Sequence, residues 1–212
     1  MPATSPNTSA TGGFLAPLTP APDDDLVLDQ FLQRLVVGCT GLKPESVRAR
    51  YVTLDDGEKA TPRNPNQREN WASVGVMSME AEGQPALIHD GAGEGTSTQI
   101  QHMRLDVLAS FYGPRSSALA ELLRAALYVS QNRDTLFRAG MGLIDVGAGR
   151  RIPEITNTSP RRRTDIGFRL RRRVERTYAI RNVLELSGTL TGQGGSQDGA
   201  VRQQTNLTTP RG

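Results

Sequence analysis

A chain of 212 residues can bury the core of one domain of common size but not of two large ones. An apolar content of 36% beside 22 Gly and 13 Pro leaves part of it outside a packed core, and the single Cys39 excludes a disulfide framework and any multi-cysteine metal site. The net charge of +3 is unevenly made: 23 of the 25 basic residues are Arg, and nine of those lie between Arg161 and Arg181.

Residues 1–22 carry no charge and are rich in Pro, Thr, Ser, Ala and Gly, which predicts a flexible N-terminal arm. Met1–Ser5 lacks the basic start and apolar run of a signal peptide, and no apolar stretch approaches the ~20 residues that cross a bilayer. A soluble, unsecreted product with no membrane partner is expected. Asp23–Asp25 suit the start of a helix, and Leu28, Phe31, Leu32, Leu35 and Val36 follow at helical spacing, up to a stop near Gly38 or Gly41 before Lys43-Pro44.

A short strand is predicted over 47–52, then a long polar loop over 55–70 with Pro62, Asn64 and Pro65. Strands follow over 71–80 and 85–90, joined through the glycine-rich turn Gly91–Gly95 to the clearest strand, 101–111. There Met103, Leu105, Val107, Ala109 and Phe111 share one face. Gly113-Pro114 ends it, and a helix from Ser116 or Ser117 carries Leu119, Leu122, Leu123, Ala126 and Leu127 as far as Asn132, with a short helix over 133–139.

A short strand surrounds Leu143–Val146, Pro153 and Pro160 frame another loop, and Arg161–Arg163, set apart from the strand that follows, read as a loop feature. From Thr164 to Ile180 one parity carries Ile166, Phe168, Leu170, Val174, Tyr178 and Ile180, interrupted by Arg172 and Arg176, and the other carries Asp165, Arg169, Arg171, Arg173, Glu175 and Thr177: one face is core and the other charged. Residues 187–212 return to a Gly- and Gln-rich composition and read as a flexible C-terminal tail. The predicted fold is α+β, a mostly antiparallel sheet with helices on one face, over residues 23–186.

Chemistry finds little support. The Gly91–Thr96 run lacks the Lys of a nucleotide loop and leads into no helix. His89 and His102 are the only histidines and sit in no metal motif, Cys39 has no catalytic neighbour, and no nucleophile turn appears. No catalytic residue, cofactor or metal is expected. The arginines demand an explanation, because like charges on one strand repel unless solvated or paired.

Three readings stay open for Arg161, Arg162, Arg163, Arg169, Arg171 and Arg173. They can be a solvated face paired within the chain to Asp165 and Glu175. They can meet acids of a neighbouring subunit, such as Asp23–Asp25 or Asp55, Asp56 and Glu58. They can contact phosphate as part of a nucleic-acid-binding protein, although no aromatic stacking residue stands nearby in the sequence.

The order of segments carries a resemblance. Trp71-Ala72-Ser73-Val74-Gly75-Val76, His89-Asp90-Gly91 and Leu105-Asp106-Val107-Leu108-Ala109-Ser110-Phe111-Tyr112-Gly113-Pro114 come first, then Gln131-Asn132-Arg133, Ala139-Gly140-Met141-Gly142 and Leu170-Arg171-Arg172-Arg173 to Arg176-Thr177-Tyr178. This series resembles the phage neck-terminator, tail-terminator-like family over roughly residues 26–186. The resemblance implies a structural virion protein of the head-tail junction, assembled in the host cytoplasm. It implies a homo-oligomeric ring, a hexamer, that closes the tail tube. Its partners would be tail-tube, neck and head-completion proteins, sheath proteins if the tail contracts, and transiently the genomic DNA. It passes on no catalytic residue, and the two tails and Arg161–Arg163 lie outside the pattern.

Overall fold

The computed structural model describes residues 7–19, 26–51, 69–156, 159–182, 189–193 and 202–206. Asp23–Asp25, expected to cap the first helix, lie outside the described residues, as do Asp55, Asp56 and Glu58. The fold is α+β, with three helices and mostly antiparallel strands among the described residues. The chain divides into two compact units, a larger one of residues 20–86 and 100–175 and a smaller one of residues 1–19, 87–99 and 176–212.

In the larger unit, helix α1 (Leu26–Thr40) buries Leu28, Leu32, Val36 and Thr40, one residue every fourth position. Gly41 ends it at φ +69°, in the left-handed region that glycine enters without a steric penalty, and its N–H donates to the Val37 carbonyl at 2.9 Å. Helix α2 (Ser116–Leu127) buries Leu119, Ala120, Leu123 and Leu127. The helix predicted to run on to Asn132 instead breaks at Val129, whose backbone is extended (φ −69°, ψ 129°), and α3 (Ser130–Arg138) begins one residue later. The Asn132 side-chain amide donates to the Ala126 carbonyl at 2.8 Å, which also accepts the Val129 N–H at 3.1 Å, and so adds a bond at the end of α2.

Strand β1 (Val47–Ala49) pairs in parallel with β2 (Trp71–Ala81), and β2 pairs antiparallel with β4 (Thr96–Tyr112), which begins earlier than the alternation predicts; β3 (Ala86–Asp90) also pairs with β4. Beyond β4 lie β7 (Ser159–Tyr178), then β5 (Met141–Val146), with β6 (Arg150–Thr156) also paired to β7. The loop expected between Pro153 and Pro160 is therefore a hairpin, and Arg161–Arg163 lie on strand β7 rather than in a loop. Proline misled here because β6 pairs with β7 alone among the described strands, and an edge strand tolerates a residue without an N–H.

The two layers meet in one core. Leu32 and Val36 of α1 and Leu123 and Leu127 of α2 are buried with Ala72, Val74, Val107, Ala109, Phe111, Phe168 and Leu170 of the strands. Truncating a fully buried leucine such as Leu123 to alanine costs about 2–5 kcal/mol in such a setting. Gly113 turns the chain from β4 toward α2 at φ +101°, and a Cβ there would strike the Glu69 carbonyl and Asn70.

The smaller unit holds β3, the first residues of β4, the last of β7, and an antiparallel pair of β8 (Thr189–Gln193) and β9 (Arg202–Asn206) inside the segment expected as a tail. In the stretch expected as the N-terminal arm, Ser9 and Leu18 donate their backbone N–H groups to the carbonyls of Ala179 (3.0 Å) and Thr177 (2.6 Å). Among the described residues no helix is long and apolar enough to cross a membrane.

Candidate interaction surface

From Ile166 to Val174 strand β7 alternates broadly as its sequence predicts, whereas Asp165, expected on the charged face, is buried. Ile166, Phe168, Leu170 and Val174 are buried, while Arg169, Arg171 and Arg173 are exposed on the face away from the helices. The fork of Arg163 grips Asp165, Nε to Oδ1 and Nη2 to Oδ2, both at 2.8 Å, and Asp165 is only 7% exposed. Register brings Asp145 of β5 beside Arg169, whose Nε donates to Oδ1 at 2.7 Å while Nη2 pairs with Oδ2. Arg171 reaches Glu82 at 2.6 Å, and Arg173 reaches Glu175 at 2.5 Å. The pairing to Asp165 and Glu175, anticipated from the sequence, is thus present, and Asp145 and Glu82 add partners that lie far off in the chain.

These pairs give each of the three outward arginines, Arg169, Arg171 and Arg173, a carboxylate partner. The hydrogen bond from Arg169, more than its bare charge, holds the Asp145 carboxyl below the ordinary carboxylate range, and the same bond raises Arg169. On β2 and β4 such pairing recurs: Arg104 pairs with Glu80, and the Ser78 hydroxyl donates to Asp106 at 2.7 Å.

The upstream half differs. Trp71 and Tyr112, directly opposite in the β2–β4 register, stack with ring centroids 3.9 Å apart and planes 6° from parallel. Three guanidiniums surround this stack, Arg48 at 5.5 Å from the Trp71 ring, Arg161 at 5.9 Å from Trp71 and 6.0 Å from Tyr112, and Arg163 at 5.6 Å from Tyr112. The expectation that aromatic residues are absent near the arginines is corrected here, since strand register delivers both rings across 41 residues of sequence. The rings spend their faces on each other and on the chain's own arginines. Arg161 is nearly buried, at 9% exposure, whereas Arg162 is exposed.

In the smaller unit the glycine turn is anchored. The Asn182 side-chain amide donates to Gly91 O at 2.6 Å, its backbone N–H to Glu94 O at 2.9 Å, and its side-chain oxygen meets His89 Nε2 at 2.6 Å. His89 Nδ1 in turn meets the Ser97 hydroxyl at 2.9 Å, and Arg181 pairs with Glu94. His89 is therefore a structural link, and no cluster of His, Cys, Asp and Glu among the described residues could hold a metal ion. Burial raises the Cys39 thiol above its ordinary range.

Sequence reasoning missed Trp71, Tyr112, Glu82 and Asp145 because each is brought into place by pairing between distant strands. A model of the phage neck terminator protein family matches residues 27–194. No curated protein matches the sequence.

Proposed function

Because the chain belongs to the phage neck terminator protein family, and so is a structural protein of the phage neck, we propose that it forms a ring, a hexamer, that closes the tail tube at the junction with the head. The family match over residues 27–194 carries this reading, since it takes in the whole α+β core. A closed ring needs two unlike, complementary patches on each subunit. The exposed apolar residues of the α2–α3 region, Leu122, Tyr128, Val129 and Phe137, supply surface that such contacts would cover. The pairing of Arg169, Arg171 and Arg173 on β7 supports a protein that meets other proteins rather than one that wraps nucleic acid.

Negative-stain imaging of the purified full-length chain tests this reading. Closed rings of uniform size are expected, and a population that stays monomeric at every concentration would overturn it. The polar ends, residues 1–22 and 187–212, act in this proposal as arms that fasten neighbouring neck proteins. Deleting each should impair the joining of heads to tails; unchanged infectivity would remove the arms from the proposal.

A further inference from the structure

The larger unit contains a cavity of about 790 Å³ whose wall is formed by the first turn of α2, by β6 and by the start of β7. Five arginines line it, Arg115, Arg151, Arg161, Arg162 and Arg163, and among the side chains described there no Asp or Glu does. We propose that this cavity is a docking site for an acidic polypeptide segment, one that presents two or more carboxylates to Arg115, Arg151 and Arg162.

The chain places its own acids elsewhere along the strand. Downstream on the same strand Arg169, Arg171 and Arg173 each hold a carboxylate of the chain. At the cavity, Arg115, Arg151 and Arg162 make no ion pair with any described residue, and Arg163 is already committed to Asp165. Gathering guanidiniums around a concave wall raises their mutual repulsion, and an incoming anion relieves it.

The wall is also fixed in advance. Arg151 Nε donates to the Ser117 hydroxyl at 3.1 Å, Ser117 meets the Thr164 hydroxyl at 3.1 Å, and Thr164 donates to Ser116 at 3.2 Å. A side chain already held in place loses less freedom when its partner arrives.

Shape and lining choose among anions. The cavity is concave and carries Pro114, Ala118 and Ile152 beside the arginines. A Glu or Asp side chain offers a planar carboxylate for the guanidinium fork and methylenes for those apolar atoms. The phosphates of duplex DNA lie on a convex rod and cannot enter such a recess together. The inference stands on the cavity alone and does not depend on the ring.

The test is titration of the full-length chain with hexaglutamate at low ionic strength, followed by calorimetry and by emission of Trp71, the one tryptophan, which lies beside the cavity-lining Arg161. Saturable binding is expected. The pair Arg151→Gln with Arg162→Gln, which removes two charge-assisted contacts, should weaken it by roughly a hundredfold or more. The control pair Arg171→Gln with Arg173→Gln should leave it unchanged. Arg162 is exposed, so Arg162→Gln alone keeps the fold and should give a smaller loss of the same kind. No binding of hexaglutamate overturns the proposal, as does equal loss in the control pair. Tighter binding of duplex DNA that the cavity pair abolishes also overturns it and assigns the site to phosphate.

Discussion

Trp71 and Tyr112 face one another across the β2–β4 ladder with their rings 3.9 Å apart and nearly parallel, and guanidiniums of β1 and β7 flank the pair. Cross-strand aromatic pairs are units of sheet stabilisation. This one draws β1, β2, β4 and β7 together at the same end of their strands as the Gly113 turn into α2.

Tyr112→Leu keeps an apolar side chain but removes the stack. It should lower stability by about 1 kcal/mol beyond any change in burial, read from urea unfolding, and should alter Trp71 emission in the native state. Unchanged stability and emission would show that the two rings contribute separately.

Partly buried Arg163 holds the buried Asp165 in a two-point fork, so removing the arginine strands the carboxylate. Arg163→Leu should cost about 3 kcal/mol or more, whereas Arg163→Leu combined with Asp165→Leu should recover much of that loss, because no uncompensated charge remains buried. Additive losses in the double variant would argue against coupling through charge.

What the sequence made legible follows from the distance over which each feature is decided. The burial of Ile166, Phe168, Leu170 and Val174 needs only the two-residue period of a strand, and the pairs Arg163–Asp165 and Arg173–Glu175 join residues two apart on one face. The α+β class followed from the same local periods. The partners Asp145 and Glu82, the aromatic stack and the β6–β7 hairpin depend on which strands pair and in what register, which no local pattern states. Prolines 153 and 160 pointed toward a loop, yet Pro153 lies on β6, which pairs with β7 alone among the described strands, and Pro160 is the second residue of β7, where strands tolerate a proline. Arg115 and Arg151 drew no notice, since an isolated arginine acquires meaning only when a cavity gathers it with others.

Asn182 holds the Gly91–Gly95 turn through three hydrogen bonds, one of them from its backbone. Asn182→Ala keeps only the backbone bond, so amide exchange in the turn should quicken about fivefold to tenfold, as expected for ~1–1.5 kcal/mol of lost local stability. Exchange in the buried strands of the larger unit should not change. Uniform acceleration across the chain would mean that the variant acts on global unfolding instead.

The Asp145–Arg169 pair has a defined pH signature. Its carboxyl is held below the ordinary range in the folded state, so the stability it contributes is fully present above the ordinary carboxylate pKa and is lost as pH falls through the lowered folded value. Asp145→Asn should therefore melt earlier than the parent at pH 7 and alongside it in strong acid. Both groups are about half exposed, so added salt should shrink the difference at pH 7. A deficit that persists unchanged in acid would trace the effect to packing or hydrogen bonding rather than to charge.

The proposed ring sharpens the question of what Arg171 and Arg173 do. Each already holds a carboxylate of its own chain, Glu82 and Glu175, so a neighbouring subunit would have to displace that partner to use the guanidinium, and exchange of one exposed pair for another gains little. Arg171→Gln with Arg173→Gln should leave ring assembly as it is in the parent, scored by negative-stain imaging and by sedimentation. Rings that fail to form in this variant, while its melting temperature is unchanged, would move the subunit junction onto the β7 face and give these arginines an intermolecular role.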